Sequence, residues 1–375
     1  MIFSSYAFLL LFFPAVYVLF LVLRACRLER AALAMLVLAS LVFYGMWSWK
    51  YLGLLLGLIV VNYLLDNQQV RHRQYARLWL TVAVVFNLSV LAYFKYAGFF
   101  LAFLPSSESW HIILPLGISF FTFQKIAWHV DLYQRRLPDT GTVLEYSFFV
   151  CFFPQLIAGP IVHARTLFPQ IAPGWFNRPL TWQLGISLLT IGLVKKVLLA
   201  DPLAPGVAML FDHSQADTAL AAPDVLLAGL SYGLQLYFDF SGYADMAIGL
   251  GLMFGIKLPA NFRAPYKSAS IVEFWRRWHI TLSSFLRDYL YIPLGGNRHG
   301  RLRANVNLLI TMLLGGLWHG AGWQFILWGG VHGALLVINH YWRHLSRWRL
   351  PRLLAVPLTL LVVMLAWIPF RADSL

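Results

Sequence analysis

The chain has little charge. Only 12% of its 375 residues are Asp, Glu, Lys or Arg, about half the roughly 25% of an ordinary soluble domain. Acids are scarcer still, 15 against 29 Lys and Arg. There are two cysteines, Cys26 and Cys151, which excludes a disulfide framework and zinc-finger spacing. No HExxH, Walker or dinucleotide-binding fingerprint occurs, and no serine sits in a Gly-x-Ser-x-Gly elbow. His340 and His344 are spaced i,i+4 but lack a third ligand nearby, so they read as interfacial residues. The sequence also lacks the internal repeat, with matching broken helices, that a pseudo-symmetric transporter would carry. Finally, no basic leader precedes the apolar stretch Met1–Leu23. Arg24, Arg27 and Arg30 follow it instead, the mark of a retained first span rather than a cleaved signal.

What the chain has is apolar length. Hydrophobic residues make up 60% of it, mean hydropathy is +0.68, and runs long enough to cross a bilayer recur from end to end. The expected fold class is all-α, a polytopic helical membrane protein. Basic loops prefer the cytoplasm. Placing Arg24–Arg30 there puts the N-terminus outside, the next span (31–47) outward and 51–65 back in. Arg71–Arg77 then falls inside, 78–93 goes out, the loop 105–109 is external, and 112–130 returns to Arg135 and Arg136. Three basic loops thus share one side. The same rule accounts for the net charge of +14 together with anionic lipid, so nucleic acid is not an expected partner.

One histidine stands out. Between Arg303 and Arg343 there is no charged residue, yet His319 lies in that stretch, within Leu313-Leu-Gly-Gly-Leu-Trp-His-Gly-Ala-Gly-Trp323. A helix rising from Arg303 at the surface reaches it after roughly 24 Å, inside or just under the far edge of a core about 30 Å thick. An ionisable group there is a functional candidate; the alternative is packing glue between helices. Arg303 and Arg343 on one side imply a helical hairpin turning near Gly320–Gly322.

The middle of the chain is less regular. Cys151-Phe-Phe-Pro-Gln-Leu-Ile-Ala-Gly-Pro160 puts two prolines and a glycine at apparent membrane depth, which suits a re-entrant or interfacial element. Lys195 and Lys196 are expected to end the next helix, with Asp201–Pro205 turning the chain. Asp239 and Asp245 suggest either polar lining of a cavity or partners for buried arginines, and they read as structural partners. The stretch Glu273–Tyr289 reads as one amphipathic helix. Phe274, Trp278, Leu282, Phe285 and Tyr289 form its apolar face, while Arg276, His279, Ser283 and Arg287 lie within roughly 80° on the other. Such a helix grips anionic headgroups or lines a polar cavity. His279 favours the cavity.

These residues carry a resemblance. The stretches 1–5, 158–160, 238–248, 258–262, 274–283 (Phe-Trp-Arg-Arg-Trp-His-Ile-Thr-Leu-Ser), 291–297 and 316–320 (Gly-Leu-Trp-His-Gly) resemble the membrane-bound O-acyltransferase family, in particular the membrane component of bacterial alginate O-acetylation. The likeness runs nearly end to end and implies a single multi-pass domain over residues 1–375, built around a central tunnel with re-entrant and interfacial helices. It implies that His319 is catalytic and His279 a second functional residue. Arg276, Ser283, Arg287, Trp318 and His332 are candidate substrate-binding residues, and no metal site is expected. Relatives of the alginate type continue past the stretch resembling 366–372, so a chain stopping at Leu375 is expected to be a shortened member or a piece.

The resemblance also implies a location and partners. The expected location is the bacterial inner membrane, with the N-terminus periplasmic. The expected donor is a cytoplasmic acyl thioester such as acetyl-CoA, with no bound cofactor. The expected acceptor is an exported polysaccharide, reached through a periplasmic acetyltransferase- or esterase-like partner protein, with membrane lipids around the chain. D-Alanyl transfer to teichoic acid is the alternative chemistry. A non-catalytic transporter or scaffold of a polysaccharide export complex is the alternative class.

Overall fold

A computed structural model describes residues 2–101, 112–212, 221–345 and 350–372. The expected external loop at 105–109 and the end at Leu375 lie outside the described residues. Among the described residues the chain is helical, with no strand. It divides into two compact units: unit 1 is Met1–Leu193 with Tyr243–Pro259, and unit 2 is Val194–Gly242 with Ala260–Leu375. Five helical stretches are long and apolar enough to cross a membrane: Ala7–Ala25, Trp49–Arg71, Arg73–Phe100, Trp182–Phe211 and Arg352–Arg371. The protein is therefore a multi-pass helical membrane protein.

Unit 1 opens with a π-helical turn that leads into α1 (Phe13–Ala25), followed by α2 (Glu29–Gly45), α3 (Trp49–Arg71), α4 (Ala76–Leu101) and α5 (Ile118–Tyr133). These match the expected spans, and the basic stretches fall at the turns between them. The bilayer dictates this regularity, because a spanning segment must satisfy its backbone hydrogen bonds internally. Polar side chains hold α3, α4 and α5 together. Asn62 donates from Nδ2 to the Leu58 carbonyl at 2.8 Å, so its Oδ1 faces His129 Nε2 at 2.7 Å. His129 Nδ1 lies 2.6 Å from Asp66 Oδ1, both side chains fully buried. Asn87 on α4 donates to the same Asn62 oxygen at 2.5 Å.

The proline-containing stretch is not a straight helix. Helix α6 (Val143–Cys151) stops at Phe152, the four-residue α7 (Phe153–Leu156) follows, and the backbone then runs irregularly. Every residue of α7 is buried, and Ser40 Oγ accepts from the Phe153 amide at 3.0 Å. Non-helical backbone is tolerated because protein covers it. A short helix α8 (Ala164–Ile171) precedes α9 (Trp182–Leu193).

Here one expectation fails. Lys195 and Lys196 do not end a helix. The chain continues as a π-helical segment, Val194–Ala200, directly into α10 (Asp201–Asp212), and Asp201–Pro205 lies within that helix rather than turning the chain. Proline fits the first turn of a helix, where no donor is needed; Pro205 sits deeper in the same run. The charge of Lys196 is met locally, by Asp201 at 2.7 Å and Asp239 at 2.5 Å. Asp239 is thus a structural partner, of a lysine. It sits on α11 (Ala222–Met253).

Unit 2 continues with α12 (Ile271–Arg277), α13 (Ile280–Leu286) and a π-helical turn Arg287–Tyr291. Then come α14 (Gly300–His319), α15 (Trp323–Leu345) and α16 (Arg352–Arg371). Helices α14 and α15 form the expected hairpin, turning at Gly320–Gly322. They cross closely because both meet at glycine. A Cβ on Gly316 would lie 2.2 Å from the Phe325 carbonyl oxygen, and one on Gly329 2.4 Å from that of Met312. No side chain fits there.

Candidate active site

The hairpin delivers His319 to the last residue of α14, where Gly320 takes the chain into an extended conformation. Its imidazole is clasped by three aromatic rings. Centroid distances are 4.9 Å to Trp318, 5.0 Å to Trp328 and 5.2 Å to Phe370, each near edge-on. Trp328 also stacks at 5.6 Å on Trp367 of α16. The ring orientation is therefore fixed by packing.

His279 reaches the same cluster by a route the helical wheel does not anticipate. The stretch 273–289 is not one helix. It breaks at Trp278–His279, where His279 adopts φ +42°, in the left-handed region. That conformation costs of order 1–3 kcal/mol and persists only where the surroundings enforce it. Here they do: the Arg263 amide donates to the Arg277 carbonyl at 3.0 Å, and the Ile280 amide to the Asn261 carbonyl at 2.9 Å. The break rotates α13 away from α12, so the shared polar face of Arg276, His279, Ser283 and Arg287 does not exist. His279 is buried, 2% exposed, against Phe240 at 4.7 Å and Trp318 at 6.4 Å.

Its tautomer follows from its partner. Asn261 Oδ1 accepts from the Thr281 backbone amide at 3.2 Å and from Thr281 Oγ1 at 2.9 Å. A backbone amide only donates, so Asn261 presents its oxygen inward. His279 Nδ1, 3.2 Å from that oxygen, must carry the proton. Nε2 is then the acceptor nitrogen of the neutral ring.

His332, one turn beyond Trp328 on α15, completes the group. Its ring lies 4.8 Å from Trp328 and 5.3 Å from Trp275. The indole Nε1 of Trp275 donates to His332 Nδ1 at 3.3 Å, which leaves the proton of the neutral ring on Nε2. Since His332 is fully buried and His319 only half-buried, His319 is the most accessible of the three.

The other candidates are placed differently. Trp318 is buried between His279 and His319. Arg276 and Arg287 are exposed, and Arg287 Nε is held by Asp288 at 2.8 Å. Ser283 is half-buried and donates to the Trp278 carbonyl at 3.4 Å. The aromatic cluster is built without these three. Conversely, Asn261, Phe240, Trp328 and Phe370 help to build the site, although the sequence suggested no role for them. Asn261 and Phe240 lie within stretches 258–262 and 238–248, so the signal was present as motif but not as chemistry.

The chain thus combines membrane-spanning helices with a histidine at the break of a helical hairpin, clasped by two tryptophans and a phenylalanine. Residues 41–368 match the membrane-bound O-acyltransferase family, and the chain belongs to it. It is an O-acyltransferase. Among its relatives, the peptidoglycan O-acetyltransferase of Helicobacter pylori is 45% identical over 91% of this chain and 71% of its own. The "Probable alginate O-acetylase AlgI" of Azotobacter vinelandii is 44% identical over all of this chain and 76% of its own. The teichoic acid D-alanyltransferase of Bacillus subtilis is more distant, 27% identical over 65% of this chain and 64% of its own.

Proposed function

We propose that this protein moves an acetyl group from a cytoplasmic thioester, such as acetyl-CoA, through a tunnel toward the hydroxyls of an exported polysaccharide, with His319 as general base. The observation that carries the reading is the His319 imidazole, half-buried at the end of α14 and clasped by Trp318, Trp328 and Phe370. In the step itself, an acceptor hydroxyl attacks the thioester carbonyl while the imidazole takes its proton. The tetrahedral intermediate collapses, the C–S bond breaks, and the thiolate leaves and is protonated by the imidazolium. General-base help of this kind is worth about 10² to 10⁴ in rate. A helix C-terminus favours positive charge beside it, which suits the imidazolium formed in that step.

His279 serves as a positioning residue in this reading. With Nδ1 committed to Asn261, its neutral ring orients a hydrogen-bond donor rather than an oxyanion; a developing negative charge would need the protonated ring. His332 supports Trp328 from behind. Arg276, Ser283 and Arg287 take part through the cytoplasmic donor's polar groups, away from the aromatic cluster. The protein acts as one domain in the inner membrane, N-terminus periplasmic, and passes the acetyl group to a periplasmic esterase-like partner before the sugar. The acetyl assignment rests on the names of relatives above 40% identity, among them the two given above; D-alanyl transfer rests on a more distant one.

The test is the O-acetyl content of polysaccharide from cells that lack the native gene and carry either this chain or its His319→Ala variant at matched membrane levels. Acetylation is expected with the parent and absent with the variant. Equal acetylation in both removes His319 from the chemistry and favours a scaffold.

A further inference from the structure

Unit 2 contains a concavity whose lining includes none of the residues of the proposed acyl-transfer site. A groove of about 490 Å³ opens between the end of α15, the first half of α16 and the start of α12. Leu335, Ile338, Leu358 and Val362 wall it with apolar surface, and Arg343 stands at one end. Ile338 and Leu358 are 62% and 50% exposed, so the groove opens sideways, as a lipid-facing channel must. Along α15 the lining runs from Arg343 back to Leu335, about 12 Å of helix at ~1.5 Å per residue. One leaflet of hydrocarbon is about 15 Å deep, half of a ~30 Å core. The groove therefore has nearly the depth of one leaflet.

Two further observations fix its polar end. Tyr341 and Trp342, beside Arg343, are 43% and 53% exposed, where amphipathic rings mark the headgroup level. The same end holds an excess of positive charge. Glu273 Oε1 is held by Arg277 at 2.7 Å and approached by Arg352 at 3.7 Å, while no acid pairs with Arg343 among the described residues. Asn339, one turn deeper than Arg343, also lines the groove, and an asparagine amide group can donate to an ester or phosphate oxygen. The end is thus cationic, the next turn polar and the remainder mainly apolar, with the Thr359 hydroxyl turned back onto the Ala355 carbonyl. That is the sequence of a glycerophospholipid read from phosphate through ester to chain.

We propose that this groove is a binding site for one anionic phospholipid, its phosphate against Arg343 and one acyl chain along Leu335, Ile338, Leu358 and Val362. A zwitterionic headgroup would bring its own cation against the surplus arginines and is disfavoured. The site is independent of the acyl-transfer reading, and its occupant is a retained lipid rather than a substrate.

The experiment is native mass spectrometry of the full chain purified in detergent and incubated with equimolar phosphatidylglycerol and phosphatidylcholine. One phosphatidylglycerol is expected to remain bound, preferred about fivefold, the factor of roughly one arginine–headgroup contact. Arg343→Gln is expected to abolish the preference. Thr359→Trp, which fills the groove from the α16 wall, is expected to lower retention of both lipids; Leu358→Trp on the exposed rim serves if that variant does not fold. Arg27→Gln, exposed in unit 1, should change nothing. Equal retention of the two lipids by the parent would overturn the proposal. So would an unchanged preference in Arg343→Gln, or full retention in the folded groove-filling variant.

Discussion

His279 and Asn261 are joined through a single oxygen: Asn261 Oδ1 lies 3.2 Å from His279 Nδ1 and also accepts from the Thr281 amide and hydroxyl. One side chain thus fixes the tautomer of the histidine and secures the backbone break on which it sits. Asn261→Ala removes the shared acceptor of three donors, at about 1 kcal/mol for each bond and more where a donor stays buried. The expected outcome is a lower melting temperature in detergent together with a fall in acyl transfer. A variant that melts lower yet transfers normally would show that the orientation of His279 is immaterial to the reaction.

The α14–α15 crossing sets the position of His319, and it depends on glycine. Gly329→Ala places a methyl 2.4 Å from the Met312 carbonyl oxygen, which is backbone and cannot step aside. Overpacking of this kind costs about 1–3 kcal/mol. Gly330→Ala is the control, since its nearest neighbour is the Leu313 side chain at 3.5 Å. Thermal unfolding should separate the two variants, with the first clearly destabilised and the second near the parent. Similar melting of both would mean that the helices part easily.

How much of this was legible in the sequence depends on what enforces each feature. The spans were legible because the bilayer fixes their length, and the hairpin because glycines and the missing charges mark it. The break at His279 was not, because helical periodicity is a local signal. The hydrogen bonds that enforce φ +42° come from Asn261 and Arg263, many residues upstream. The passage of the chain through Lys196 was hidden for a similar reason. Its charge is neutralised by Asp239, on another helix. His319 could be found by its surroundings in the sequence, but Phe370, which closes its cage, comes from α16 and could only be found in space.

Unit 1 offers a test of buried polar pairing. His129 has Asn62 Oδ1 at 2.7 Å on one nitrogen and Asp66 Oδ1 at 2.6 Å on the other. Because Asn62 must present its oxygen, Nε2 donates, and one proton is shared between Nδ1 and Asp66. His129→Leu leaves Asp66 buried without its partner, a loss of about 3–5 kcal/mol. Asp66→Asn is expected to be much milder, because the new amide donates to Nδ1 of a neutral ring. Melting temperatures of the two variants check this ordering, and the reverse order would refute the shared proton.

Trp328 touches both His319 at 5.0 Å and His332 at 4.8 Å, and His332 is in turn held by the Trp275 indole at 3.3 Å. The proposed base is therefore oriented through a tryptophan supported from behind by a second histidine. Trp328→Phe keeps an apolar ring but shortens it, so the His319 ring gains room to tilt. Misplacement of a reacting group by about 1 Å can cost about 10²-fold, whereas stability should fall by less than the 3–5 kcal/mol typical of Trp→Ala in a core. The expected signature is a drop in kcat with little change in KM and a modest fall in melting temperature. His332→Asn should reproduce a weaker form of the same pattern, because it loosens the support without touching His319. An effect confined to KM would instead place Trp328 in donor binding, and the aromatic cage would then be part of the tunnel wall rather than the mount of the base.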